Sequence, residues 1–241
     1  MSSSTISIFK SDPRTLLVPT RKTLPAISAK DLAGLDGPLN VVISHNHYDH
    51  LDESSIEAMP PGTRFYVPLG LGKFVREYGG SDVVEMDWWE EAETTRGTRL
   101  ACLPAQHWSR RVTQSVNSTL WASFMITAPA TRIYFAGDGG YFIGYREIGR
   151  TFPGIDYALM PLTAYRPRWF MHYGHMDALE SLDAFRDLGA RFFVPTQWGT
   201  FHLGEEPPGY GVLDLQREIK SQQLDPSKFL ILDIGEFVEI R

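Results

Sequence analysis

At 241 residues, with 43% hydrophobic and 22% charged side chains, the chain can build one sizeable core, and its composition excludes disordered and fibrous classes. Its 29 acidic against 23 basic residues, net −6, leave no basic excess to neutralise phosphates, which argues against nucleic acid as a partner. The single cysteine, Cys102, rules out an internal disulfide and reads as a core thiol. No signal-peptide pattern or membrane-length apolar run is present, so the expectation is one cytoplasmic domain, residues 1–241, with peripheral membrane contact left open.

Residues 1–38 are rich in Ser, Thr and Pro and read as an irregular arm, with one short strand near residues 7–9. After Gly37-Pro38, "LNVVIS" (39–44) and "TRFYVP" (63–68) are short apolar runs of the buried-strand kind, and "LGKFVREYG" (71–79) is a short helix. "SDVVEMDW" and "TRLACLPA" follow as strands, with Trp88-Trp89 expected to pack beneath the site. The second half continues with strands at 120–127, 132–137, 157–162 and 191–196. Asp177, with Glu180 three residues on and Gly189 at the stop, marks a capped helix between the last two. A helix near 211–222 and strands "KFLILD" and "EFVEI" close the chain. Interleaved strands and helices favour an α/β domain of sheets covered by helices.

The chemistry concentrates in "VVISHNHYDHLD", where three of the seven histidines and two aspartates follow a buried strand. His45 and His47 are spaced to reach one metal from a tight loop, while Asp49 and His50 project toward a second position. Two metals would sit roughly 3.5–4 Å apart, and Asp138, following the strand at 132–137, is the candidate bridge because a carboxylate has two oxygens to share. A solvated loop is the bland alternative, but three histidines at this spacing favour metal. His107 and Gln197 also stand just past predicted strands, where loops at one end of a sheet converge.

"HNHYDH" resembles the H-x-H-x-D-H signature of the metallo-β-lactamase fold. Together with "MDWWEE", "PAQHWSRR", "YFAGDGGYF", "PLTAYRPRWFMHYGHMD" and "WGTFHLGEEP", spread over about residues 38–208, it is similar to the branch containing N-acyl-phosphatidylethanolamine-hydrolysing phospholipase D and its bacterial relatives. The resemblance implies an αββα sandwich of two mixed sheets flanked by helices. It implies one zinc on His45, His47 and His107, another on Asp49 and His50, and Asp138 as bridge. It further implies a phosphodiesterase that works through a metal-bound hydroxide.

Two departures from the family stand out. Relatives read His-Trp-Gly-Thr-Phe where this chain has "QWGTF", so Gln197 offers a neutral oxygen and the second site should be weaker, or take manganese or iron. His202 is a candidate substitute ligand. At the front, only "SDPR" (11–14) is similar to the end of the family's N-terminal strand pair, a shortening that leaves a sheet edge open to homodimerisation.

The candidate catalytic groups are Asp49, among the metal ligands, and His175, as general acid or as a partner of a ligand. Tyr48, Trp108, Arg110, Tyr165, Arg168 and Trp169 are the candidate substrate contacts, arginine for phosphate oxygens and aromatic walls for an apolar group. The expected partner is a phospholipid or a small-molecule diester. A lactonase or ester hydrolase of the same fold, or a metal-binding protein with an impaired second site and little turnover, are the alternatives.

Overall fold

The computed structural model describes residues 21–112 and 114–239, so the strand expected near 7–9 and the "SDPR" step lie outside the described residues. Among the described residues the β-branched and aromatic runs form two sheets. In the first, β1 (Asn40–Val42), β2 (Arg64–Pro68) and β3 (Asp82–Met86) pair in parallel in that order. The second runs β4 (Glu91–Glu93), β5 (Arg99–Leu103), β6 (Ser123–Ala128), β7 (Thr131–Phe135), β8 (Tyr157–Pro161) and β9 (Phe192–Thr196), antiparallel as far as β7 and parallel beyond it. Only this second sheet is mixed. The first is parallel throughout because α2 (Glu53–Glu57) and α3 (Gly72–Glu77) sit in its two connections, and helical crossovers return the chain in the same direction.

Period-two patterning sorts the side chains into layers. From β2, Phe65 and Val67 point toward α2 and α3, joining Leu51, Ile56, Leu71 and Phe74, while Tyr66 points the other way. Tyr66 meets Met86, Cys102, Phe124, Ile126 and Phe135 between the sheets. Burial pushes the Cys102 thiol up to about 12, as suits a core thiol. The far face of the second sheet is covered by α4 (Gly144–Thr151), α6 (Ala178–Leu188) and α7 (Tyr210–Ser221) over Tyr134, Tyr145, Ile148, Met160, Leu182 and Phe185. The result is the αββα order expected from the sequence. The four-residue α5 (Arg168–Met171) buries none of its side chains.

Several sequence expectations change. The irregular arm contains α1 (Ala29–Ala33), capped by a reciprocal Ser28–Asp31 box, a helix too short to show a periodicity. Among the described residues the closing strands do not form. Leu230 donates one bond to Phe193 O, and Phe193 and Phe229 make an isolated bridge. Further along β9 stands Pro195, whose nitrogen has no hydrogen to continue a ladder. Phe237, in the last expected strand, is largely exposed. Trp88 packs as expected, its indole donating to Trp121 O at 2.7 Å, whereas Trp89 sits outside in a left-handed turn. No helix among the described residues is long and apolar enough to cross a membrane.

The topology decides where the site is. Because β6 runs opposite to both β5 and β7, and β8 and β9 follow β7, the four strands β5, β7, β8 and β9 all end on one edge. The end of β1 joins that edge through the Ala122 N–H donating to Ser44 O at 2.8 Å.

α4 and α6 approach so closely at Gly149 that a Cβ there would lie 2.5 Å from Asp187 O and 2.7 Å from Leu188 O, both backbone atoms. Gly149→Ala is expected to cost about 1–3 kcal/mol by overpacking, lowering the thermal midpoint by roughly 3–10 °C in a scanning calorimeter. An unchanged midpoint would show that the helices separate freely at this crossing.

Candidate metal centre

The shared edge gathers the four predicted loops. His45 to His50 follow β1, His107 follows β5, Asp138 follows β7 and Gln197 follows β9. Asp138 reaches the end of β1 because Gly137 is left-handed and bare: a Cβ there would lie 2.6 Å from Ser44 Cβ.

Two groups of ligand atoms result: His45, His47, His107 with Asp138, and Asp49, His50 with Asp138. In the first, His45 Nε2 lies 2.9 Å from His47 Nδ1, which lies 3.2 Å from His107 Nε2. Asp138 Oδ2 is 3.7 Å from both His45 Nε2 and His107 Nε2. Donors about 2.0–2.1 Å from a tetrahedral metal stand about 3.3 Å apart, so this set fits a borderline metal such as zinc. In the second, His50 Nε2 is 3.2 Å from the same Asp138 oxygen and 3.4 Å from Asp49 Oδ2. Asp138 Oδ1 and His47 Nε2 are buried with no hydrogen-bond partner among the described residues.

The surroundings choose the tautomers. His107 Nδ1 is 3.0 Å from Gly174 O. A carbonyl only accepts, so the proton sits on Nδ1 and Nε2 presents its lone pair to the centre. Ser44 Oγ serves two rings, lying 2.9 Å from His45 Nδ1 and 3.5 Å from His50 Nδ1. Neither Ser44 nor Gly174 was identified from the sequence. A serine beside a histidine is a weak signal, and a backbone carbonyl leaves no signal at all. Arg111 holds the metal loop: it is buried, donates to Asn46 O at 2.7 Å and to Leu51 O, lies 4.4 Å over the Tyr48 ring, and lines the same cavity as Tyr48 and Arg110.

Burial lowers the imidazoles of the first group, His45 well below its ordinary value, His47 to about 4 and His107 to about 3. They are neutral at physiological pH, as ligands must be. His50 is opposite. Burial opposes its charge, but Asp138 and Asp49 prevail and raise it well above the ordinary value. Burial alone would raise the Asp138 and Asp49 carboxyls, yet the neighbouring His50 holds both low, Asp138 well below its usual range.

Gln197 follows β9 in a left-handed conformation. Its Nε2 donates to Gly137 O at 3.2 Å, and its Oε1 is buried without a hydrogen-bond partner among the described residues. With Asp49 and His50 it lines a cavity of about 260 Å³. His202 is exposed and substitutes for nothing.

A second cavity, about 420 Å³, opens over both groups and is lined by His47, Tyr48, Asp49, Trp108, Arg110, Asp138, Met171, His175 and Leu203. Of the expected substrate contacts, Tyr48, Trp108 and Arg110 line this cavity. His175 lines it too, its ring edge-on to His107 at 5.3 Å. The other three are elsewhere. Tyr165 is buried with its hydroxyl donating to Asp214 at 2.8 Å, and Trp169 is 80% exposed, its ring beside that of Phe170. Arg168 is turned to the segment's own backbone and to α6. These three fall around a cis Arg166-Pro167 bond and a helical turn that carries their side chains away from the metals.

Comparison with known proteins agrees with this geometry. The family described as beta-lactamase superfamily domain matches residues 12–198. The chain is 32% identical over 235 residues to N-acyl-phosphatidylethanolamine-hydrolyzing phospholipase D 1 of Caenorhabditis elegans, covering 92% of this chain and 65% of that one. It is 35% identical over 176 residues to the mitochondrial enzyme of the same name from Saccharomyces cerevisiae, covering 69% and 37%. The chain therefore spans about two thirds and about a third of these curated relatives. Among solved structures, a metallo hydrolase from Ignicoccus hospitalis is similar in fold, with 23% identity, a TM-score of 0.63 and coverage of 84% and 80%.

The opposite protonation of the two groups is measurable. Loading the His45–His47–His107 group is expected to release no proton between pH 6 and 8, because those rings are already neutral. Loading the Asp49–His50 group must displace the His50 proton, so its affinity rises about tenfold per pH unit up to the pKa of His50. Calorimetric titration with a divalent metal in two buffers of different ionisation enthalpy reads the protons released. Two pH-independent binding events would contradict this assignment.

Proposed function

The chain belongs to the beta-lactamase superfamily, and from that premise we propose that it is a metal-dependent hydrolase, a phosphodiesterase acting on N-acyl phospholipids or related diesters. The observation that carries this reading is the pair of ligand groups sharing Asp138 Oδ2 at the floor of a largely apolar cavity lined also by Arg110 and Arg111. Similarity to relatives named for N-acyl-phosphatidylethanolamine hydrolysis supplies the substrate class. His45, His47, His107 and Asp138 would hold a divalent metal such as zinc, which when bound would supply hydroxide near neutral pH and Lewis-acid polarisation of the scissile group.

The remaining work falls to side chains. Trp108, Val112, Met171 and Leu203 give the cavity an apolar wall for an acyl or similar group, and the Arg110 fork reaches phosphate oxygens at its rim. Asp49 faces both cavities and completes the second ligand group, keeping its carboxylate ionised beside His50. His175, lining the cavity beside His107, is the group placed to return a proton to the leaving oxygen. Gln197 offers oxygen where relatives offer imidazole nitrogen, which shifts the second position toward harder metals such as manganese or iron and weakens its hold on zinc. That same substitution favours the second reading, a metal-binding protein of little turnover.

Purified, metal-loaded protein is expected to release phosphatidic acid from vesicles containing N-acyl-phosphatidylethanolamine, and a chelator should abolish it. His175→Ala should lower kcat by about 10²–10⁴ with bound metal retained. Turnover of lactones or carboxylic esters, with no action on any phosphodiester, sinks the proposal.

Gln197→His is expected to tighten the second metal, so that elemental analysis after gel filtration finds two ions per chain where the unaltered protein keeps one. Identical stoichiometry and affinity would mean that residue 197 does not face the second position.

A further inference from the structure

Segment 165–175 holds the centre from outside. Its Gly174 carbonyl fixes the proton of His107 at 3.0 Å, and Met171 and His175 line the cavity. Yet past the buried Tyr165 it has little hydrophobic anchorage: Trp169, Phe170 and Tyr173 are 80%, 67% and 56% exposed, and α5 buries no side chain. An apolar loop facing solvent is not held by burial, so its position depends on polar ties.

Those ties centre on one guanidinium. Arg168 Nη1 donates to Tyr165 O at 3.0 Å and to His175 O at 2.9 Å, joining the two ends of the segment. Nη2 donates to Glu180 Oε2 at 2.5 Å, and Nε lies 3.5 Å from Asp177 Oδ2. Asp177 and Glu180 are the capping box of α6. The fork thus fastens the loop to the capped start of α6. Other bonds hold one end each: Glu206 accepts from the Tyr165 and Arg166 N–H groups at 3.2 and 3.0 Å, and Gln106 donates to Tyr173 O at 3.0 Å. Arg168 alone among these touches both ends and the helix.

We propose that Arg168 is a positioning residue of the metal centre: by clamping segment 165–175 to the start of α6, it sets the Gly174 carbonyl that selects the His107 tautomer, and it places the His175 ring. The role of His175 in turnover rests on the hydrolase reading above, but the His107 tautomer does not. Lysine is no substitute, because a single ammonium cannot span two carbonyls and two carboxylates in one plane.

The test follows the imidazoles directly. In metal-free protein labelled with ¹⁵N-histidine, long-range ¹H–¹⁵N spectra are expected to show His107 as the Nδ1–H tautomer. In Arg168→Lys, which keeps a cation beside Glu180, that signature should give way to a mixture of tautomers. Affinity for zinc alone should fall by about 10- to 100-fold, the range typical for lost partners of metal ligands. In the same variant kcat should fall while KM stays. Guanidinium ion added to Arg168→Ala should restore part of the signature, since the site is partly open to solvent. A variant of reduced thermal stability that keeps the His107 tautomer and zinc affinity overturns the proposal, showing an ordinary structural arginine. A raised KM with kcat, tautomer and zinc affinity unchanged also overturns it, returning Arg168 to substrate binding. The tautomer and zinc readouts stand even if no diester is turned over, so failure of the clamp is distinct from failure of the proposed reaction.

Discussion

Asp138 Oδ2 lies between 3.2 and 3.7 Å from three buried imidazoles, those of His45, His50 and His107. A buried carboxylate is expensive unless its charge is compensated. In the metal-free protein the protonated His50 supplies that compensation, and it is the reason Asp138 stays ionised while three neighbouring rings stay neutral. Both ligand groups share this oxygen, so the rest of the site is arranged around it. The left-handed Gly137 brings it in, and the close contact with Ser44 leaves no room there for a side chain.

Around that oxygen, the ligands are held by an arginine that binds backbone, by a backbone carbonyl and by a hydroxyl. Arg111 grips carbonyls of the metal loop, Gly174 offers a carbonyl to His107, and the Ser44 hydroxyl stands between His45 and His50. This follows from loop physics. Loops carry many unpaired N–H and C=O groups, so a rigid loop site needs side chains that satisfy them. Arginine suits the task because its fork has five donors, and both Arg111 and Arg168 use it this way. An arginine near a phosphate-handling centre invites a substrate assignment, but the two whose donors are spent on carbonyls have little left for a ligand. Arg110 is exposed where it lines the cavity.

Much of this was legible in order. The two-residue spacing of His45 and His47, the following Asp49 and His50, and the buried strand before them identify a metal loop from local chemistry alone. The capped helix after Asp177 was equally plain, since Asp and Glu three residues apart act within one turn. The substrate wall was harder. Tyr48, Trp108 and Arg110 lie next to ligands in the chain and so next to them in space, whereas Tyr165, Arg168 and Trp169 lie in an irregular segment whose direction no periodicity records. The two closing strands failed for a related reason. Apolar alternation states what a segment tolerates, but a ladder needs a partner, and β9 presents Pro195 where the next donor should be.

By itself the sequence determined a His/Asp cluster able to hold metal, the layered αββα class and the family, because each depends on residue identity, short spacing or alternation. Tertiary structure alone decided that one oxygen of Asp138 serves both groups, that His50 keeps its proton while its neighbours do not, and that Arg168 faces a helix cap instead of a substrate. These depend on distances between residues far apart in the chain and on how deeply each is buried. Electrostatic energy varies with both, and neither is written in the order of residues.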